Sequence, residues 1–344
     1  MFINRTDSEH IKRLKARTNL GAICLLLSLA LTLPANALPF GKDKDEEPSP
    51  DLVPKIKLSK EQETEFNTSL KNGQAYVKQG NFELAQICFM RCTTLNPSSS
   101  DAHLGLAYCH VGLKHNEQAM VEVFEALRCE PNKIETRFLL GDIMMKDARW
   151  DEAGGQYLQI LKQSPDDLAA RGNLATCLQM MGQIEPAIGQ YKYILEKDPK
   201  SSMAAFNLAA AYEQKNMVDE AAIYYKKVVE LDPNNAFAYC SLAKCLAAKK
   251  DFKAAQVLLN YVKSKLGANN HYLHLVQGYV NEGLGDKRGA IEEYTKAVAL
   301  NPNDGDSKSS LTRLLNMGNT GGRVNKPGNL SGLKSLSGLT PIAK

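Results

Sequence analysis

Residues 202–235 read SMAAFNLAAAYEQKNMVDEAAIYYKKVVELDPNN, and the proline near the end of this stretch sets the scale of the whole chain. Counting back from Pro233, prolines recur at Pro199, Pro165, Pro131 and Pro97, each 34 residues from the next. Counting forward, the next is Pro302, 69 residues on, which is twice 34 plus one. Gly267 stands in the skipped place, in the stretch SKLGANNHY. A fixed period of this length is the mark of a tandem array, in which each unit buries its apolar face against its neighbours.

With the proline set at position 32, units start at residues 66, 100, 134, 168, 202, 236 and 271. Position 20 is Ala in all seven: Ala85, Ala119, Ala153, Ala187, Ala221, Ala255 and Ala290. Position 8 is always Gly or Ala, from Gly73 through Ala107, Gly141, Ala175, Ala209 and Ala243 to Gly278. Small residues at two fixed places let helix backbones approach closely. Large residues at position 24 (Phe89, Tyr157, Tyr191, Tyr225 and Tyr294, with Val123 and Leu259) and Leu at position 7 of the inner units fill the remaining space.

Together these residues resemble the tetratricopeptide repeat over residues 66 to about 303. The resemblance implies an all-α fold, a right-handed α-solenoid or superhelix of stacked antiparallel helix pairs. It also implies that the first helix of each unit, helix A, lines a concave groove. In that groove Leu70, Tyr108, Phe138, Phe206, Phe237 and Tyr279 supply apolar and aromatic surface. Asn173, Asn207 and Lys244 supply polar groups, the two amides being able to pair with the backbone of an extended chain. The mixture suits a peptide or a partner helix. Leu70, Gln74, Glu135 and Leu139 stand where the family's carboxylate clamp needs Lys, Asn and basic groups, so that clamp is not expected.

The ends differ from the array. Lys12, Arg13, Lys15 and Arg17 precede a 14-residue apolar run from Leu20 to Leu33, and Ala35-Asn36-Ala37 follows. This order predicts a secretory signal over 1–37, hence export to a periplasmic or extracellular space. An uncleaved membrane anchor is the alternative, although the run is short of the roughly 20 residues a spanning helix needs. Residues 38–58, with four prolines and mixed charge, predict a linker. Ser59 and Gln62 form a capping box that starts the array, which extends over 59–317. The stretch DSKSSLTRLLNM after Pro302 predicts a helix that covers the last unit's apolar edge. Residues 318–344, rich in Gly, Ser and Asn, predict a disordered tail.

The net charge of +4 includes five Lys/Arg and two Asp/Glu from residues 1–37, so the exported chain is nearly neutral and nucleic acid is not an expected partner. Seven cysteines remain after cleavage. Cys109, Cys177 and Cys245 share position 10, and Cys92 takes the usual Ala of position 27, so they read as small buried apolar residues. A bridge from Cys92 to Cys109 between adjacent units is conceivable. Cys88 and Cys92 lie one turn apart but have no neighbouring His or second Cys pair, and His103 and His110 fall on packing positions, so no metal site is expected. No nucleophile elbow, phosphate loop or zinc signature occurs, and neither catalysis, a cofactor nor a small-molecule substrate is expected. The sequence therefore points to a non-enzymatic scaffold for a segment of another envelope or secreted protein. The alternative is an assembly component held by its edges and tail.

Overall fold

Ser59 opens the array as its sequence requires. Its hydroxyl accepts from the Gln62 N–H at 3.2 Å, and the Gln62 side chain accepts from the Ser59 N–H at 2.9 Å. The computed structural model describes residues 56–267 and 269–319. The signal segment, most of the linker and the tail from residue 320 lie outside the described residues. The array belongs to a unit spanning Val53–Lys344.

Among the described residues there are fifteen helices and no strand. They run α1 (Lys60–Lys78), α2 (Phe82–Leu95), α3 (Ser100–Gly112), α4 (Asn116–Cys129), α5 (Ile134–Lys146), α6 (Trp150–Gln163), α7 (Leu168–Met180) and α8 (Ile184–Lys197). They continue with α9 (Ser202–Gln214), α10 (Val218–Leu231), α11 (Ala236–Ala248), α12 (Phe252–Lys265), α13 (His271–Gly283), α14 (Lys287–Leu300) and α15 (Gly305–Asn319). Odd numbers up to α13 are the A helices, even numbers the B helices, and α15 packs against α14. The fold is an all-α solenoid of seven helix pairs with one helix beyond them. The first helix has 19 residues where the later A helices have 13, as the early capping box predicts.

Inside each pair, small and large residues interlock. All seven position-20 alanines are fully buried, and so are Phe89, Tyr157, Tyr191, Tyr225 and Tyr294 at position 24, to within 2%. The position-24 ring lies directly over position 8. A Cβ added at Gly141 would stand 2.7 Å from the Tyr157 ring, and one at Gly278 would stand 2.6 Å from that of Tyr294. At Gly141 and Gly278 the ring thus leaves no room for a side chain, whereas Ala175 and Ala209 stand in the units of Tyr191 and Tyr225.

The turn from A to B has a regularity that residue types conceal. Position 15 is left-handed in every unit: Gly80, Gly182 and Gly285, but also Lys114, Ala148, Asn216 and Lys250, with φ between 58° and 83°. The left-handed conformation ends helix A with the N–H of this residue and the next bonded back to its last turn. Side chains other than Gly and Asn pay for that conformation by roughly 1–2 kcal/mol, partly offset by their stiffer unfolded chain. Ala148→Gly therefore stabilises the protein by about 0.5–1 kcal/mol, read as a raised urea midpoint.

Between pairs, each A helix generally packs on the preceding B helix, and at four junctions a side-chain clamp ties the turn to both. Position 4 reaches back to the proline carbonyl of the preceding unit and across to position 23 of its own. His103 lies 3.1 Å from the Pro97 carbonyl and 2.7 Å from Glu122. Arg137 donates to the Pro131 carbonyl at 2.8 Å and to Gln156 at 3.2 Å, and Arg171 donates to Pro165 and Gln190, both at 2.6 Å.

The fourth clamp is at the slip. With Gly267 in the proline slot, His274 binds Glu293 at 2.6 Å and the side chain of Asn269, also at 2.6 Å, instead of a proline carbonyl. Gly267 is left-handed, at φ 59°. Helix α13 here contacts α11 more extensively than α12, unlike the other junctions. The added residue thus shifts the seventh pair across the sixth while preserving its clamp.

Both ring nitrogens of His103 face acceptors, so the imidazolium satisfies them together. Burial opposes that charge, but Glu122 and the Pro97 carbonyl hold the pKa above the ordinary 6.5. A raised folded pKa gives stability that is complete below about 6.5 and is lost as pH rises through the folded value. Glu293 has the opposite sign. Burial works against its charge, yet His274, Lys263 and Lys296 hold its pKa below 4.5, so its contribution is present above that value and is lost on acidification. The urea midpoint accordingly falls between about pH 6 and pH 8, and His103→Gln flattens that slope.

Candidate functional site

A helices touch one another at four junctions, α1 beside α3, α3 beside α5, α7 beside α9 and α11 beside α13, which gives the array a side that we call the A face. The resemblance assigns helix positions 2, 5, 6, 9 and 12 to this face, and several of them, including Leu104, Leu139, Ser241 and Val276, are buried. Along it Tyr108 is 40% exposed and Met203 60% exposed. Leu70 is half-buried and packs beside Phe89 and Leu106. The other aromatic groups are partly buried and braced from beneath. Phe138 leans on Tyr157 at 5.9 Å between centroids, Phe206 meets Tyr225 edge-on at 5.5 Å, and Phe237 stacks on Tyr272 at 6.1 Å. Tyr279 lies 6.4 Å from Phe252. Bracing of this kind fixes the rings before any ligand arrives, which lowers the entropic cost of binding.

The polar groups divide. The Asn207 amide is half-buried and makes no hydrogen bond among the described residues. Asn173 donates to Asp142 Oδ1 at 3.4 Å. Lys244 lies on the A face but its side chain is only 6% exposed, and its ammonium faces Glu213 at 2.5 Å. Its charge is therefore held within the array.

That ion pair belongs to a pattern the sequence reading did not find. The Tyr225 hydroxyl donates to Glu213 at 2.9 Å, and Lys244 of the next unit supplies the counter-charge. The Tyr294 hydroxyl donates to Glu282 at 2.7 Å, and Arg313 binds the same carboxylate through both oxygens at 2.7 and 2.8 Å. The Tyr157 hydroxyl donates to Asp142 at 2.6 Å, with Asn173 in the third place. The third residue always follows the acid by 31 positions. Burial and the adjacent carboxylates keep the three phenols protonated, with pKa values raised above the ordinary 10. A separation of 31 recurring in three units is the signal that could have exposed these triads.

Models of the tetratricopeptide repeat match residues 70–133, 144–205, 181–236, 224–257 and 272–304. The chain belongs to the tetratricopeptide repeat family. No curated protein matches its sequence significantly. Among solved structures, the array is similar to a tetratricopeptide repeat protein from Parabacteroides merdae, with a TM-score of 0.60 and 15% identity, covering 73% of this chain and 99% of that one. It is also similar to the C-terminal part of a repeat protein from Cytophaga hutchinsonii, with a TM-score of 0.54 and 19% identity over 70% and 99% of the two chains. A third similar structure is the Cut9–Hcn1 hetero-tetramer of the APC/C, with a TM-score of 0.58 and 14% identity over 71% of this chain and 48% of that one. Identities this low support the shared fold alone.

In this tetratricopeptide repeat protein the seven cysteines from Cys88 to Cys245 are free thiols, so Cys92 and Cys109 are not bridged. Cys92, Cys109, Cys177, Cys240 and Cys245 are buried. Burial raises the Cys92 thiol to about 11 and the other four to about 12, where the reactive thiolate is scarce. Among the described residues no group of three or more His, Cys, Asp or Glu side chains could hold a metal ion. His103 and His274 are committed to the clamps, which gives the packing position its chemistry. No described helix is long and apolar enough to cross a membrane.

Proposed function

We propose that this protein is a non-enzymatic scaffold whose A face holds a peptide segment or helix of another exported protein. The tetratricopeptide repeat fold is a protein–protein interaction scaffold. The observation that carries the finer reading is the region around Asn207: an amide without a hydrogen-bond partner among the described residues, on the helix that also bears the braced ring of Phe206 and the exposed Met203, with the braced Phe237 on the next A helix. An amide can serve the N–H and C=O of an extended chain whatever its side chains, while rings give contact area at little entropic cost. Leu70, Tyr108, Phe138, Asn173 and Tyr279 extend the surface, and Lys244 supports it from within. The export signal read over residues 1–37 supplies the compartment.

Replacing Phe206, Asn207 and Phe237 together by alanine weakens partner capture more than about a hundredfold in a crosslinking pulldown, since anchors of this kind contribute about 2 kcal/mol or more each. Helicity is retained, because all three side chains lie partly outside the core. Unchanged capture would exclude this face. A second reading, assembly through outer surfaces, draws support from Met90, Phe124 and Leu158, which share position 25 on α2, α4 and α6 and are all exposed.

A further inference from the structure

The three tyrosine–carboxylate triads differ in charge and in register, for Glu213 and Glu282 stand at position 12 of their units and Asp142 one turn earlier, at position 9. At Glu213 and Glu282 the place 31 residues on holds a cation, Lys244 and Arg313, and at Asp142 it holds the neutral Asn173. Asp142 forms no ion pair among the described residues. Its own Lys146, one turn away, acts only at a distance, and burial pushes the Asp142 carboxyl above the usual range. Oxygen Oδ1 takes both hydrogen bonds, from Tyr157 and Asn173, while Oδ2 accepts none among the described residues. The carboxyl is therefore held in place by two donors with one oxygen unused. It lies on the A face, one turn after Phe138 on α5. The exposed Tyr108 of α3 is near enough for its hydroxyl to feel both Asp142 and Glu135. A half-buried carboxylate bonded to the Tyr157 phenol and near that of Tyr108, without the base that Glu213 and Glu282 possess, is complementary to a cation that arrives from outside.

We infer that Asp142 is the subsite for a lysine or arginine side chain of the segment held in the groove, the incoming cation supplying the counter-charge that Lys244 and Arg313 give to Glu213 and Glu282. The ring faces of Tyr108 and Phe138 flank its alkyl stem, so an aliphatic neighbour in the segment is favoured. This rests on the A face being the binding groove, and adds the charge of the partner to it.

Two substitutions in the full-length protein test the assignment from opposite sides. Asp142→Asn removes the carboxylate, and Asn173→Arg supplies the missing base from within the array. The probes are a fluorescein-labelled nonapeptide, GLSLKLSLG, and its twin GLSLQLSLG, followed by fluorescence anisotropy at low salt. On the unaltered protein the lysine peptide binds at least tenfold more tightly than the glutamine peptide. Both substitutions erase that preference, and Asn173→Arg also raises the melting temperature, because it completes the triad.

Equal binding of the two peptides to the unaltered protein would overturn the cation subsite and leave the groove reading standing. Failure of both to bind would overturn the two together. A melting temperature lowered by Asn173→Arg would show that Asp142 lacks no counter-charge, whatever the peptides do. The chain's own residues 320–344 carry Arg323, Lys326, Lys334 and Lys344 and no acid. Replacing those four by glutamine leaves the lysine preference unchanged if the occupant is a separate protein. A tenfold gain in peptide affinity would instead make the tail the occupant and overturn the assignment to a partner.

Discussion

Lys244→Met destabilises the array by about 3–5 kcal/mol, the largest loss expected from any single exchange on the A face. Methionine matches the lysine stem in volume, so the effect is electrostatic. Glu213 keeps the Tyr225 hydroxyl but loses the one base paired with it among the described residues, in a site where its own side chain is 15% exposed. A carboxylate stranded there must either remain charged without compensation or take up a proton, and both cost stability. Glu213→Gln combined with Lys244→Met leaves an acceptor for Tyr225 and no charge, and recovers all but about 1 kcal/mol. The check is a double-mutant cycle by urea unfolding. Additive losses would show that the two side chains do not act as a pair.

Gly283→Ala costs about 1–3 kcal/mol through overlap rather than charge. Gly283, at position 13 of the seventh unit, lies under the ring of Phe252, at position 17 of the sixth, and an added Cβ would intrude on three ring carbons. The same arrangement joins Gly112 to Phe82 between the first two units. Because the clash is with a ring rather than with backbone, shortening the ring residue relieves it. Gly283→Ala with Phe252→Leu is therefore more stable than Gly283→Ala alone, by thermal unfolding, even though Phe252→Leu by itself loses packing. The pair also bridges the junction with Gly267, so its loss is felt where the seventh pair has moved across the sixth.

What could be read in the sequence was whatever every unit must repeat. Position 20 has to be small and position 24 large for any pair of helices to close, so residue type alone displayed them, and the prolines displayed the period. Position 15 has to be left-handed in every unit too, yet Lys114, Ala148 and Lys250 adopt that conformation without the glycine that would announce it. Surrounding contacts impose the conformation there, against local preference.

The clamps and triads were hidden for another reason: they are pairings between helices, and only their separation is constant. Each clamp joins residues 19 apart, and its members change together. Where position 4 is His or Arg, position 23 is Glu or Gln. Where position 4 is Ser69, Ala205 or Tyr239, position 23 is Cys88, Tyr224 or Leu258. Comparing the units with each other therefore carries information that a unit-by-unit reading lacks. Lys244 illustrates the point on the A face, where its position suggested a free groove cation and its partner, Glu213, lies 31 residues back. Asn207, by contrast, is half-buried with no hydrogen-bond partner among the described residues, and Phe206 is partly buried against Tyr225.

The central claim, that partners are held on the A face, is tested most directly by hydroxyl-radical footprinting of the full-length protein with and without its captured partner. Two methionines make a matched pair of reporters. Met203 lies on the A face and is 60% exposed, and Met90 lies on the outer side of α2 and is 55% exposed. The partner is predicted to suppress oxidation of Met203 while leaving Met90 unchanged. Protection of Met90, with Phe124 and Leu158 beside it and Met203 still oxidised, would contradict the account and place the interface on the B helices.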